Sequence, residues 1–210
     1  MILRAAVNSR VYHLIGLITA GPIRRLFRFR SKGEENLPKE GGFVLSASHH
    51  SNLDAWPLAI PLYPERQLRF MAKSEMYRYP PLRWALRNAG AFPVRRGMGD
   101  EEAIGKAVEL AQAGEVVAIF PEGTRRNKGM VKKHQAKPHS GAARVAIKAG
   151  VPLIPAAIGG TESLSRLGPL RVAYGPPIEL DDLKDMDLRN ASKIATGRLM
   201  EAIHALEETL

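Results

Sequence analysis

Two side chains suited to acid–base chemistry, His49 and Asp54, stand five residues apart in the stretch Ser48-His49-His50-Ser51-Asn52-Leu53-Asp54. A carboxylate bonded to one ring nitrogen of an imidazole fixes its tautomer and leaves the other nitrogen available as a base. On one straight helix these two residues would point about 140° apart, because the period is 3.6 residues. A strand-to-helix turn lets them meet, and the flanking sequence supplies one. Residues 41–47 read as a short apolar strand opened by Gly41 and Gly42. Residues 55–60 read as a helix start, with Asn52 and Asp54 as capping residues at its head. His49 is then expected at the exit of a strand, and Asp54 in or near the first turn of the next helix. His50 competes with His49 as the base, and Ser51 is a candidate nucleophile. Taken alone, a His followed by an Asp is more often a surface pair or a cap than a catalytic pair.

Two further loops carry residues with chemistry. One is Arg95-Arg96-Gly97, and the other runs from Pro121 through Glu122, Gly123, Thr124, Arg125 and Arg126 to Gly129. Arginine beside glycine, where backbone can approach closely, suits a phosphate monoester, since a guanidinium holds two phosphate oxygens at once. The same residues also serve as ordinary solvated charges. No Walker-type or dinucleotide-type glycine pattern is present, so nucleotide hydrolysis and hydride transfer lose support. The chain has no cysteine, which removes disulfides, thiolate nucleophiles and Cys-ligated zinc. The spacing of His49, His50 and Asp54 matches no standard ligand set, so no metal is expected.

The 210 residues suggest one domain with a sizeable core. Lys and Arg number 31 against 21 Asp and Glu, for a net charge of +10, which favours anionic partners. Position narrows the choice. The first 32 residues hold Arg4, Arg10, Arg24, Arg25, Arg28, Arg30 and Lys32 and no acidic residue. Leu3, Val7, Val11, Leu14 and Ile18 recur at steps of four and three, an apolar helical stripe. After Gly21-Pro22 a second short segment interleaves Ile23, Leu26 and Phe27 with arginines. The apolar run over 11–20 is too short to span a bilayer, which needs about 20 residues. It also lacks the cleavage site of a signal peptide. An apolar stripe with basic flanks and no acids matches a helix lying in the membrane interface against anionic lipid. The plainer reading is an N-terminal helix docked on the core with its arginines in solvent.

Behind these loops the chain alternates. Strands are expected over 68–71, 91–94, 115–120, 153–158 and 170–174. Helices are expected over 74–88 (interrupted near Tyr79-Pro80-Pro81), 100–113 and 140–149, the last closed by Gly150. In the final segment Leu188, Ala191, Ala195, Leu199, Ala202 and Leu206 share one helical face. Alternating strands and helices indicate an α/β fold with a mostly parallel sheet covered on both faces. Function in such folds gathers in loops at strand ends. The richest such loops follow Ala47, Val94 and Phe120.

Together, several segments resemble one family. His49 to Asp54 fits the H-x-x-x-x-D signature of glycerolipid acyltransferases, and Gly90-Ala91-Phe92-Pro93-Val94-Arg95-Arg96 looks like their second block. Phe120-Pro121-Glu122-Gly123-Thr124-Arg125 matches the third, F-P-E-G-T-R, at every position, and Val151-Pro152-Leu153-Ile154-Pro155 is similar to the fourth. Lys73-Ser74-Glu75 also resembles a piece recurring between the first two blocks. The blocks stand in the family's order over residues 34–160. Ser48, Arg95 and His139 depart from the usual pattern, where Asn, an acidic residue and Lys are frequent. The resemblance is to bacterial 1-acylglycerol-3-phosphate acyltransferases. It implies an α/β acyltransferase domain over 33–210, preceded by an N-terminal helical pair over 1–32 that binds a membrane. It also implies that His49 and Asp54 are catalytic, with Arg96, Glu122, Gly123, Thr124 and Arg125 binding the acceptor. The implied substrates are a lysophospholipid acceptor and a thioester donor, acyl-CoA or acyl carrier protein, with no cofactor. The alternatives are the same chemistry on glycerol 3-phosphate, another lysophospholipid or a glycolipid, or a non-catalytic basic membrane-binding protein. The expected setting is peripheral, on the cytoplasmic face of an anionic membrane, with no nucleic-acid partner.

Overall fold

The computed structural model describes residues 10–51, 53–94, 100–122 and 138–210. Helices and strands follow in the order α1 (Arg10–Leu26), β1 (Arg30–Lys32), β2 (Phe43–Ala47), α2 (Ala55–Ala59), β3 (Leu68–Lys73), α3 (Pro80–Asn88) and β4 (Ala91–Val94). Then come α4 (Asp100–Gln112), β5 (Val116–Ile119), α5 (Gly141–Ala149), β6 (Leu153–Gly159), β7 (Arg171–Tyr174) and α6 (Leu188–Glu207). One seven-stranded sheet results, in the order β1-β7-β6-β2-β5-β3-β4. Strands β2 to β6 run parallel, whereas β7 is antiparallel to β6 and carries β1 parallel to itself. The mostly parallel α/β sheet expected from the sequence is the observed fold. Its geometry matters for the site, because the C-terminal ends of β2, β4, β5 and β6 all open on one sheet edge.

Helices on both faces leave the central strands no solvent side, so β2 and β5 are buried at every position. Side chains alternate between the faces. Val44, Val117 and Leu153 point into a core with Ala107, Val145, Leu199 and Ile203 from α4, α5 and α6. Phe43, Leu45, Val116 and Ile154 point the other way, onto Leu58 of α2. Helix α5 stops where Gly150 turns left-handed, at φ 66°, a conformation that costs glycine little.

Three details differ from the sequence reading. The helix expected over 74–88 breaks near Tyr79-Pro80-Pro81 as expected, but its first part is a 3-10 turn (Ser74–Arg78) rather than α-helix, and α3 begins at Pro80 and Pro81. Proline suits a first turn, where its missing N–H is not needed. Strand β1 went unread because Arg30-Ser31-Lys32 has no apolar signal; among the described residues it is an edge strand that pairs only with β7. The N-terminal segment is helical as expected, but α1 runs unbroken through Gly21-Pro22. Beyond Pro22 the helix is held by docking, since Ile23 is buried against Ile60 and Leu170.

The way α1 docks bears on its role. Its inward side seats Tyr12 edge-on to Tyr63, ring centroids 5.9 Å apart, while the Tyr63 hydroxyl donates to the His13 carbonyl at 2.9 Å. Gly16 permits that approach, because a Cβ there would lie 2.2 Å from the Tyr63 ring. Of the apolar stripe seen in the sequence, Leu14 and Ile18 face the other way, 56% and 61% exposed, as does Leu17 at 72%, whereas Val11 is half-buried and Leu3 and Val7 lie outside the described residues. No helix among the described residues is long and apolar enough to cross a membrane.

Candidate active site

Strand β2 delivers the chain to the sheet edge at Ala47, and the turn that follows folds Asp54 back beneath His49. His49 Nδ1 lies 2.8 Å from Asp54 Oδ2. The same oxygen accepts the backbone N–H groups of His50 at 2.7 Å and Ser51 at 2.8 Å. Asp54 Oδ1 accepts the Thr161 hydroxyl at 2.6 Å. Asp54 occupies the helix N-cap position but makes no side-chain cap bond, which corrects the capping role expected of it. Four donors converge on the carboxylate from the loop and from beyond β6, and they outcompete one helix amide.

Electrostatics follow from that count. Burial alone would push the fully buried Asp54 carboxyl up. Hydrogen bonds from the His49 ring, the Thr161 hydroxyl and the Ser51 and His50 amides more than offset it and hold the group below its ordinary value. An ionised carboxylate can only accept, so the His49 proton sits on Nδ1 and Nε2 carries the lone pair. Nε2 makes no hydrogen bond among the described residues. The imidazole stacks on Phe120, centroids 4.3 Å apart and planes at 21°, which leaves it 19% exposed. The result is a fixed ring with one basic nitrogen available.

The other candidates separate by geometry. His50 gives Asp54 its backbone N–H, while its ring reaches toward Glu207 near the end of α6, at 3.6 Å. The Ser51 hydroxyl accepts the Leu53 amide at 3.3 Å. Of the residues expected to bind the acceptor, Glu122 lies among the described residues: it follows Phe120 by two residues at the exit of β5 and is 3% exposed. The carbonyl of its neighbour Pro121 accepts the His139 N–H at 2.7 Å, so both borders of segment 123–137 meet beside the site. Arg96, Gly123, Thr124 and Arg125 lie outside the described residues.

Thr161 and Phe120 were missed in the sequence. Thr161 follows Gly159-Gly160 at the end of β6, next to β2 in the sheet. Only the parallel order, which the sequence does not state, makes them neighbours. Its contribution is testable. Thr161→Val keeps the shape but leaves a buried carboxylate oxygen short of a donor, a defect of about 1–3 kcal/mol. Turnover is expected to fall roughly tenfold, as a loss of about 1.4 kcal/mol implies, while Thr161→Ser retains it. Equal activity in the two variants would remove Thr161 from the machinery.

Beside this centre an apolar cavity of about 310 Å³ lies between α1, α2 and the end of α3. Tyr12, Gly16, Leu53, Trp56, Tyr63 and Phe70 are among its walls. Leu53 and Ala55, which flank Asp54 in the chain, both line it, so the cavity adjoins the His49 loop. Burial, and then the neighbouring Tyr63, push the Tyr12 phenol up to about 12.

A buried carboxylate–imidazole pair at the C-terminal edge of a parallel sheet defines an acid–base centre suited to group transfer. Residues 28–159 match the family described as Acyltransferase, a span that contains His49, Asp54, Phe120 and Glu122. The chain belongs to this acyltransferase family. It is 31% identical over 180 residues to the 1-acyl-sn-glycerol-3-phosphate acyltransferase of Bacillus subtilis, covering 84% of this chain and 87% of that protein. The enzyme of the same name from Streptococcus pneumoniae is 27% identical over 174 residues, covering 81% of this chain and 62% of that one. Among solved structures, the 1-acyl-sn-glycerophosphate acyltransferase PlsC of Thermotoga maritima superposes with a TM-score of 0.61. That match has 24% identity and covers 91% of this chain and 80% of the other, a likeness of fold.

Proposed function

We propose that the protein transfers a fatty acyl chain from a thioester, acyl-CoA or acyl carrier protein, to the free hydroxyl of 1-acylglycerol-3-phosphate, forming phosphatidate. The observation that carries this reading is the His49–Asp54 pair, locked by four donors at the sheet edge in a family of acyltransferases. The names of the Bacillus and Streptococcus relatives support the acceptor. His49 Nε2 takes the proton of the acceptor hydroxyl as its oxygen attacks the thioester carbonyl. Asp54 stabilises the imidazolium that forms. Collapse of the tetrahedral intermediate breaks the C–S bond, and the departing thiolate takes the proton from Nε2. Thioesters are activated already, so base, orientation and charge stabilisation suffice, with no cofactor. Arg96 and Arg125 grip the acceptor phosphate in this reading, and Glu122, Gly123 and Thr124 shape the floor beneath it.

The apolar cavity beside Leu53 and Ala55 suits an acyl chain. The outward stripe of α1, Leu14, Leu17 and Ile18, suits the interface of an anionic membrane, where an amphiphilic acceptor concentrates. This reading makes the protein peripheral, on the cytoplasmic face of the membrane. A panel of acceptors tests the assignment, with thiol release and lipid product followed for each donor. Lysophosphatidate is expected to be acylated at least tenfold faster, as kcat/KM, than glycerol 3-phosphate, which lacks the acyl chain that concentrates an acceptor at the membrane, or lysophosphatidylcholine, which lacks the monoester phosphate that two arginines can pair with. A faster rate with either of the others would reassign the acceptor.

A further inference from the structure

Helix α3 has no buried residue, and only Leu86 and Asn88 of it are half-buried. Yet Leu82 and Trp84 lie on it, with Tyr79 immediately before it, and Trp84 and Tyr79 are 58% and 67% exposed. A helix carrying so much bare apolar surface is unusual unless something covers it. The exposure is also one-sided. Of the fourteen large hydrophobic residues exposed among those described, ten fall between Leu14 and Trp84, on or next to α1, α2 and α3. The end of α3 (Asn88) and Ala89 line the same apolar cavity as α1 and α2, so the three helices share one side of the sheet. Charge identifies the partner. From Met76 to Gly99 the chain has five arginines and no acidic residue, the same bias as its first 32 residues. A two-fold contact with a second copy would set Arg83 and Arg87 against like charges. Anionic lipid instead offers these arginines complementary headgroups, and tyrosine and tryptophan favour the membrane–water boundary.

We propose that α3 is a second membrane-contact element, inserting Tyr79, Leu82 and Trp84 into the interface of an anionic bilayer while Arg83 and Arg87 meet its headgroups. This goes beyond the contact proposed for α1, and it rests on that reading. Two helices on one side of the sheet would define a plane, fix the tilt of the domain and hold the cavity against the lipid.

The chain has two tryptophans, Trp56 and Trp84, so the full-length Trp56→Phe variant reports on Trp84 alone. With vesicles of phosphatidylglycerol and phosphatidylcholine whose chains are brominated near the headgroup, its emission is expected to shift to the blue and be quenched. Trp84→Glu is expected to weaken sedimentation with unlabelled vesicles by about tenfold or more, the scale of removing one buried aromatic side chain. Pure phosphatidylcholine vesicles are expected to bind more weakly than the mixed ones. Unquenched, solvent-like emission from a vesicle-bound variant would overturn the proposal. So would an absence of binding, or a self-association that Trp84→Glu abolishes. No substrate is present, so the outcome is independent of which acceptor the enzyme acylates.

Discussion

His49→Ala is expected to reduce thioester turnover by about 10²–10⁴-fold, the range contributed by a positioned general base. The loss should appear in kcat with both donors, and the acceptor's KM should move little, because in the proposed mechanism the ring acts on a proton in flight. The fold should tolerate the change. His49 is one of four donors to Asp54, and the other three remain. Stopped assays of thiol release, paired with thermal melts, separate chemistry from folding. The control is its neighbour. His50→Ala keeps the backbone N–H that Asp54 uses and removes only a ring turned toward Glu207. Its turnover should stay within a few-fold of the parent. Rates reversed between the two variants would move the base to His50, and near-parental activity in both would end the acid–base mechanism.

How the sequence disclosed this site, and where it fell short, has a physical pattern. The strand into His49 and the helix after Asp54 are local features, legible from apolar runs and from turn-forming residues. The loop geometry follows from them, so the pairing of these two side chains was foreseeable. Thr161 was not, because its contact with Asp54 spans 107 residues and depends on β6 lying beside β2. Sheet order is a property of the whole chain. Phe120 was read as the end of a buried strand and the head of the third family block; that its ring would stack on an imidazole required knowing that β5 flanks β2 on the other side. Helix α1 shows a different shortfall. Its apolar stripe was legible, but periodicity cannot say which side of an amphipathic helix meets the protein. Here Tyr12, Gly16 and Ile23 face inward, and Leu14 and Ile18 of the stripe face out. Strand β1 was silent because an edge strand can be held by backbone pairing alone.

Asp54→Asn is expected to cost roughly 10²–10⁴-fold in kcat, as much as losing the base it serves, while leaving the fold nearly intact. The geometry explains why the two effects part. Three N–H donors face one carboxylate oxygen, and the amide carbonyl of asparagine can take that place. Its NH₂ then faces Thr161, whose hydroxyl can rotate to accept. Every hydrogen bond survives in some form, but the negative charge that stabilises the imidazolium does not. The same charge governs behaviour in acid. Because the folded value lies below the unfolded one, about 3.9 for aspartate, the carboxylate's contribution to stability is complete above that pH. It disappears as pH falls through the folded value. Urea midpoints of the parent should therefore drop more steeply below about pH 4 than those of Asp54→Asn, closing the gap between the two proteins. A gap that stayed constant from pH 7 to the acid limit would mean that the four donors hold a shape rather than a charge. In that case His49 would draw its basicity from elsewhere.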